Sequence, residues 1–175
     1  MCYNRSIMEG NRYQPRAILV FGVPSSGKTT FAEKFAKKFH ASFFDLGEIA
    51  KECGLDRKII VMLVRQLAKT GQILVLEGGL DDEHDRNEIR NILREAGYRT
   101  SLIWIQTDMT TVKQRLKMRL RSAAKAKDEY ETRIANMEAP ADREQPIVLS
   151  GKHTFETQLK HTLAQLALPN DPKRL

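Results

Sequence analysis

Residues 17–29 read AILVFGVPSSGKT, five apolar residues running into a loop that matches G-x-x-x-x-G-K-[ST] at every fixed position. The run Ala17 to Phe21 is apolar at each position and rich in strand formers, the pattern of a parallel strand buried on both faces. Beyond the loop, Phe31, Phe35 and Phe39 recur every four residues with Ala32 and Ala36 beside them, while Glu33, Lys34, Lys37 and Lys38 fall on the other side. The spacing predicts a strand, a tight glycine-bearing turn and an amphipathic helix. In that setting successive main-chain N–H groups converge on one point at a positive helix terminus, where phosphate oxygens bind. Gly22, Val23, Pro24, Ser25, Ser26, Gly27, Lys28, Thr29 and Thr30 are therefore the candidate nucleotide-binding residues. Lys28 would reach the β- and γ-phosphates, and the Thr29 hydroxyl would take a position on Mg²⁺. A nucleoside triphosphate, ATP, and Mg²⁺ are the implied ligands.

The same alternation continues outward. ASFFD at Ala41 to Asp45 reads as a second strand, and Ile59, Ile60, Leu63, Val64 and Leu67 as a helix ending near Gly71. QILVLE at 72–77 makes a third strand, followed by Ile89, Ile92, Leu93 and Ala96 at helical spacing. TSLIWI at 100–105 makes a fourth, with Val112, Leu116 and Leu120 behind it. PIVL at 146–149 makes a fifth, and Phe155, Leu159, Leu163 and Leu166 close the pattern helically. Repeated strand–helix alternation with apolar strands gives an α/β class, a parallel sheet covered by helices on both faces.

Two carboxylates end strands on the edge that carries the loop. Asp45 is placed to accept or orient the proton of an attacking hydroxyl, or else to cap a following helix. Glu77 follows four apolar residues and precedes Gly78 and Gly79, the pattern of a Mg²⁺-binding acid beside the loop. Arg86 opens the next helix and is a candidate substrate-binding residue, with a surface ion pair as the other reading. His84 beside it is expected on the surface. Arg115 and Arg119 lie four residues apart on one helical face, where guanidinium groups can meet developing charge on a transferred phosphoryl group. The catalytic set is thus Lys28, Asp45, Arg115 and Arg119. The loop SGKH at Ser150 to His153 is placed to reach a nucleobase or to cap the last helix.

Composition narrows the rest. The 29 Lys and Arg against 22 Asp and Glu leave +7, which suits polyanionic ligands, nucleotides or nucleic acid. Two cysteines, Cys2 and Cys53, make neither a disulfide framework nor a zinc spacing. No stretch resembles a signal peptide or a membrane span, so a soluble cytoplasmic protein is expected. Residues 1–15 carry no periodicity and are expected to be a flexible arm, with 169–175 a tail. The charged segment Arg115 to Arg133 has few large apolar residues and is expected to be mobile, and EAPADREQP at 138–146 reads as a linker into the fifth strand.

On GVPSSGKTT, the Asp ending the second strand, the acid-then-glycine end of the third strand followed by Arg86, and R-L-x-x-R-L after the fourth, the chain resembles the stand-alone P-loop kinases. These include the zeta-toxin-like, gluconate, polynucleotide 5′-hydroxyl and nucleoside monophosphate kinases. The resemblance spans roughly residues 16–168. It implies a three-layer α/β/α fold with a five-stranded sheet ordered 2-3-1-4-5. It also implies a substrate hydroxyl near Asp45 and an Arg-rich lid, about 115–145, bringing Arg115 and Arg119 over the phosphates. Transfer of the γ-phosphoryl group to a small-molecule or nucleoside-like hydroxyl is the expected activity. A polynucleotide 5′-hydroxyl acceptor and a non-catalytic nucleotide-binding module are the alternatives. A GTPase is disfavoured, since IQTDMT after the fourth strand carries no N-K-x-D.

Overall fold

The structure, a computed structural model, describes residues 14–167; the arm and tail read from the sequence lie largely outside these residues. Five parallel strands form one sheet: β1 Arg16–Phe21, β2 Ser42–Asp45, β3 Leu74–Glu77, β4 Arg99–Gln106 and β5 Ile147–Ser150. Their order is β2-β3-β1-β4-β5, as the resemblance implies. The helices are α1 Lys28–Phe39, α2 Leu46–Cys53, α3 Arg57–Ala68, α4 Glu83–Glu95, α5 Met109–Leu120, α6 Ala123–Ala135 and α7 Phe155–Ala167.

Side-chain alternation along the strands builds a separate core on each face. Ala17, Leu19 and Phe21 of β1 join Leu74, Leu76 and Leu102 under Ile60 and Val64 of α3 and Ile89 and Leu93 of α4. Ile18 and Val20 join Val75, Ile103 and Ile105 under Phe31 and Phe35 of α1 and Leu159 of α7. Truncating a fully buried member such as Phe31 to alanine costs about 3–5 kcal/mol through lost transfer energy and the cavity left behind.

Two elements add to the sequence reading. Helix α2 is the one that the capping alternative for Asp45 requires; at eight residues it is too short to show a period of its own, and the Asp45 side chain caps it. The charged segment Arg115 to Arg133 lies in two helices, α5 and α6, with Arg121 at φ 51° between them and Ser122 capping α6. It has a small core of its own, where Val112 and Leu116 pack with Tyr130 against Val23 of the loop after β1. Val112 and Leu116 were legible at helical spacing, whereas Tyr130 stands in a polar stretch with no apolar period to announce it. No helix among the described residues is long and apolar enough to cross a membrane.

Candidate active site at the carboxyl edge of the sheet

The loop between β1 and α1 sits at the centre of the sheet's carboxyl edge. Five of the helices begin under a side-chain cap, from Asp45, Asp56, Asp82, Asp108 and Ser122, whereas α1 starts at Gly27 with no such cap and no acid in its first turn. Its leading amides are thus left for an anion. Gly27 holds φ 101°, a left-handed value that side chains rarely adopt, so the turn into α1 calls for glycine. The loop is braced from outside through its carbonyls. Thr107 Oγ1 donates to Ser26 O at 3.0 Å, and the Arg115 guanidinium donates to Ser25 O at 3.3 Å, Ser26 O at 3.4 Å and Gly151 O at 3.0 Å. Bonds that hold the carbonyls outward keep the amides turned inward.

Glu77 is 1% exposed and stands in register with Val20 on one side and Asp45 on the other. Thr29 Oγ1 donates to Glu77 Oε1 at 2.7 Å, and Lys28 Nζ lies 3.4 Å from the same oxygen. Glu77 Oε2 is buried with no hydrogen-bond partner. Burial pushes the Glu77 carboxyl above its ordinary value of 4.5, Lys28 and Thr29 pull it back, and Asp45 adds to the rise. A hard divalent cation fits this donor set. The Thr29 hydroxyl and an unpartnered carboxylate oxygen face the loop, and a cation would offset the desolvation that raises the pKa.

Asp45 caps α2, its Oδ1 accepting from Glu48 N at 2.9 Å, and the residue also lines an open cavity. That cavity, about 780 Å³, is walled by Lys28, Thr29, Asp45, Glu48, Lys51 and Glu77, with Arg119 and Asp81 at its rim. A second cavity of about 600 Å³ lies on the other side of the loop, walled by Ser25, Gly27, Lys28, Thr29, Arg115 and Arg119, with Gly151 and His153 from the SGKH loop. Lys28, Thr29 and Arg119 line both. Ser150 O accepts from Gln158 Nε2 at 2.8 Å, and Lys152 Nζ pairs with Asp108 at 2.7 Å, which fixes the SGKH loop against α5 and α7.

Arg86 does not join this constellation, and the substrate-binding expectation for it is corrected. Its side chain is 0% exposed. It donates from Nε and Nη2 to Glu144 Oε1 and Oε2 at 2.8 and 2.9 Å, and from Nη1 to the carbonyls of Leu80, Asp81 and Glu138. Its plane also lies 4.8 Å over the Phe21 ring. All three of its nitrogens have partners inside the protein and the side chain is wholly enclosed, so it does not line either cavity of the site. His84 is exposed, as expected.

Arg57 was missed from sequence, because a charged residue opening an amphipathic helix reads as solvated. It donates to Gly79 O at 2.8 Å and to Asp85 O at 3.2 Å, and it forks onto Glu88 Oε2 at 3.0 and 3.1 Å. These bonds support the Gly78–Gly79 turn behind Glu77. The close packing of that turn on α2 needs glycine: a Cβ on Gly78, φ 80°, would strike the backbone of Gly47 and the Asp45 carboxylate.

Solved structures of similar fold are small kinases. A gluconokinase from Sinorhizobium meliloti is 15% identical with a TM-score of 0.68, covering 89% of this chain and 94% of its own. A sugar kinase from Janibacter sp. is 22% identical with a TM-score of 0.61 over 87% and 94%. The APS kinase of Mycobacterium tuberculosis, solved with AMPPNP and APS, is 15% identical with a TM-score of 0.63 over 89% and 99%. No curated protein sequence matches the chain. Residues 18–143, more than half the chain, match the AAA-domain family, so the protein belongs to that family, with the stand-alone P-loop kinase fold.

Proposed function

We propose that the protein is an ATP-dependent kinase that moves the γ-phosphoryl group onto a hydroxyl of a small-molecule acceptor. The observation that carries this reading is the meeting of two cavities at Lys28 and Thr29, one behind the phosphate loop and one in front of it, with Asp45 in the front wall. A nucleotide sensor needs only the first. The second supplies room for an acceptor and puts a carboxylate where its hydroxyl proton must go.

In this reading the main-chain N–H groups at Gly27 to Thr30, where α1 begins, and the Lys28 side chain would hold the triphosphate, while Thr29 and Glu77 would hold Mg²⁺. The bound cation supplies neutralisation of phosphate charge. Asp45 orients the acceptor hydroxyl for in-line attack and takes its proton, and Arg119, shared by both cavities, meets the charge spread over the transferring group. Segment 115–145 acts as the lid, and Arg115 sets the loop's outer face. Once Lys28 and Arg119 face phosphate and Glu77 faces the cation, Asp45, Glu48, Lys51 and Asp81 remain as the charged lining of the front cavity. Their charge balance favours a neutral hydroxyl compound over a carboxylate.

The test is transfer of label from γ-labelled ATP to a pool of polyols, sugars, nucleosides and RNA 5′-ends, followed by separation of products. Label on a small hydroxyl compound, lost with Asp45→Asn while ATP still binds, is the expected result. Label on RNA ends would move the assignment to the polynucleotide alternative, and ATP binding with no acceptor-dependent ADP would leave a regulatory module.

A further inference from the structure

A third cavity, about 300 Å³, opens at the opposite edge of the sheet, where β4 begins. Arg99 and Thr100 there are in register with Arg16 and Ala17, the start of β1, whereas the phosphate loop follows its end. With about 3.3 Å of rise per residue, the eight residues of β4 put the two sites roughly 25 Å apart.

The walls carry Arg90, Arg94 and Arg99 together with Tyr98 and Thr100. Arg90 is 7% exposed and Tyr98 2%. Arg90 Nε, Tyr98 Oη and Thr100 Oγ1 are all buried with no hydrogen-bond partner. Three orphaned polar atoms on residues of one cavity are unusual, since buried donors are nearly always satisfied. The acid on this wall, Glu144, is already committed: both its oxygens accept from Arg86, and Oε2 accepts from Ala141 N as well. Its carboxyl accordingly sits below its ordinary value despite burial, held there by Arg86, the Ala141 amide and Arg90. Arg90 is in turn pushed down by burial and by the neighbouring charges of Arg94 and Arg86, which the attraction of Glu144 only partly offsets. Among the described residues no side-chain carboxylate within salt-bridge distance of Arg90 balances it.

The geometry points to an anion site: the Arg90–Arg94–Arg99 cavity binds a small oxyanion, either free phosphate or the phosphate of a small phosphomonoester. Guanidinium groups are the usual partners of such oxygens, and the Tyr98 and Thr100 hydroxyls can donate to the same group. The cavity is at the small end of ligand-site volumes, which matches a phosphate head rather than a whole nucleotide. Helix α4, which supplies Arg90 and Arg94, also carries Arg86, whose carbonyl partners Leu80 and Asp81 follow β3 next to the front cavity.

The experiment follows the Arg side-chain Nε–Hε and backbone amide resonances of the full chain during titration with inorganic phosphate, and separately with ribose 5-phosphate as a phosphomonoester. Sodium chloride holds ionic strength constant. Saturable shifts at Arg90 and Thr100 are expected that persist in Lys28→Ala, whose phosphate loop is impaired, and that weaken about tenfold or more in Arg94→Gln and Arg99→Gln. These two positions are half-exposed, so both variants should fold even if Arg90→Met does not. Response to phosphate alone would identify a free anion as the ligand, and response to both a phosphomonoester head. Shifts that never saturate, that vanish with Lys28→Ala, or that ignore Arg94→Gln and Arg99→Gln would overturn the proposal and leave the cavity to water.

Discussion

Arg86 and Glu144 form a two-pronged ion pair in the interior, at 2.8 and 2.9 Å, across 58 residues of sequence. It ties α4 to the short 3₁₀ turn Asp142–Glu144 that leads into β5. Beside it Glu138 N donates to Asp81 O at 2.9 Å and Glu83 N to Glu138 Oε2 at 3.0 Å. The chain that leaves the body of the protein after β4 through α5 and α6 therefore returns through a fixed point. That point adjoins the loop after β3.

Removing one member of the pair strands the other as a buried charge. Arg86→Ala or Glu144→Gln should each destabilise the chain by about 3–5 kcal/mol in urea denaturation. The cycle closed with the double variant should show strong coupling, the double variant losing less than the sum of the singles. Additive losses would mean that the carbonyl bonds of Arg86, not the ion pair, do most of the holding.

The fold was legible because its signals are local. AILVF and the phenylalanines of α1 each carry a period that burial requires, and GVPSSGKT announces a conformation through residue types at fixed spacing. Sites built from single positions were less so. Asp45 and Glu77 were readable as strand-end acids because the sheet is parallel, and they prove to be register neighbours. Arg86 was misjudged because nothing near it in sequence reveals Glu144, and an arginine at a helix start is ordinarily solvated. The bracing of the loop by Thr107 and Arg115 was hidden for the same reason, with partners 81 to 90 residues away.

Glu77 gives the site a pH dependence whose sign follows from its burial. Its folded pKa is raised above the ordinary 4.5, so its contribution to stability is complete below the unfolded value and fades as pH rises through the folded one. Without Mg²⁺, this group should make the chain lose stability over that window, and Glu77→Gln should flatten the loss. Mg²⁺–nucleotide binding should move oppositely, strengthening as the carboxyl ionises. Thermal melts across pH with and without Mg²⁺–AMPPNP test both limbs, and identical profiles for the two chains would refute the assignment.

Asp45 offers a separation of roles. Asparagine can still cap α2, since its side-chain oxygen accepts from Glu48 N as the carboxylate does. Asp45→Asn should therefore fold and bind ATP nearly as the parent does, while acceptor-dependent transfer falls by about 10²–10⁴-fold, the usual worth of a general base. Asp45→Ala should lose the cap as well, at about 1 kcal/mol. A drop in ATP affinity matching the drop in transfer would show that Asp45 acts on the nucleotide side.

Gly151 tests how far the far side of the loop controls nucleotide binding. Its N–H donates to Gln106 O at 2.7 Å and its carbonyl accepts from Arg115, which places its α-carbon against the loop. A Cβ there would run into Ser26 O and Thr107 Oγ1, the two atoms whose hydrogen bond braces the loop. The residue is not at a left-handed φ, so Gly151→Ala introduces crowding without backbone strain. Crowding against backbone costs about 1–3 kcal/mol, and it should fall on the loop and not on the cores, because neither core contains Gly151. The expected outcome is a roughly 5- to 150-fold loss of ATP affinity by calorimetry if that cost is borne by the bound state. An alanine variant that binds ATP like the parent would show that the amides hold their aim without the brace.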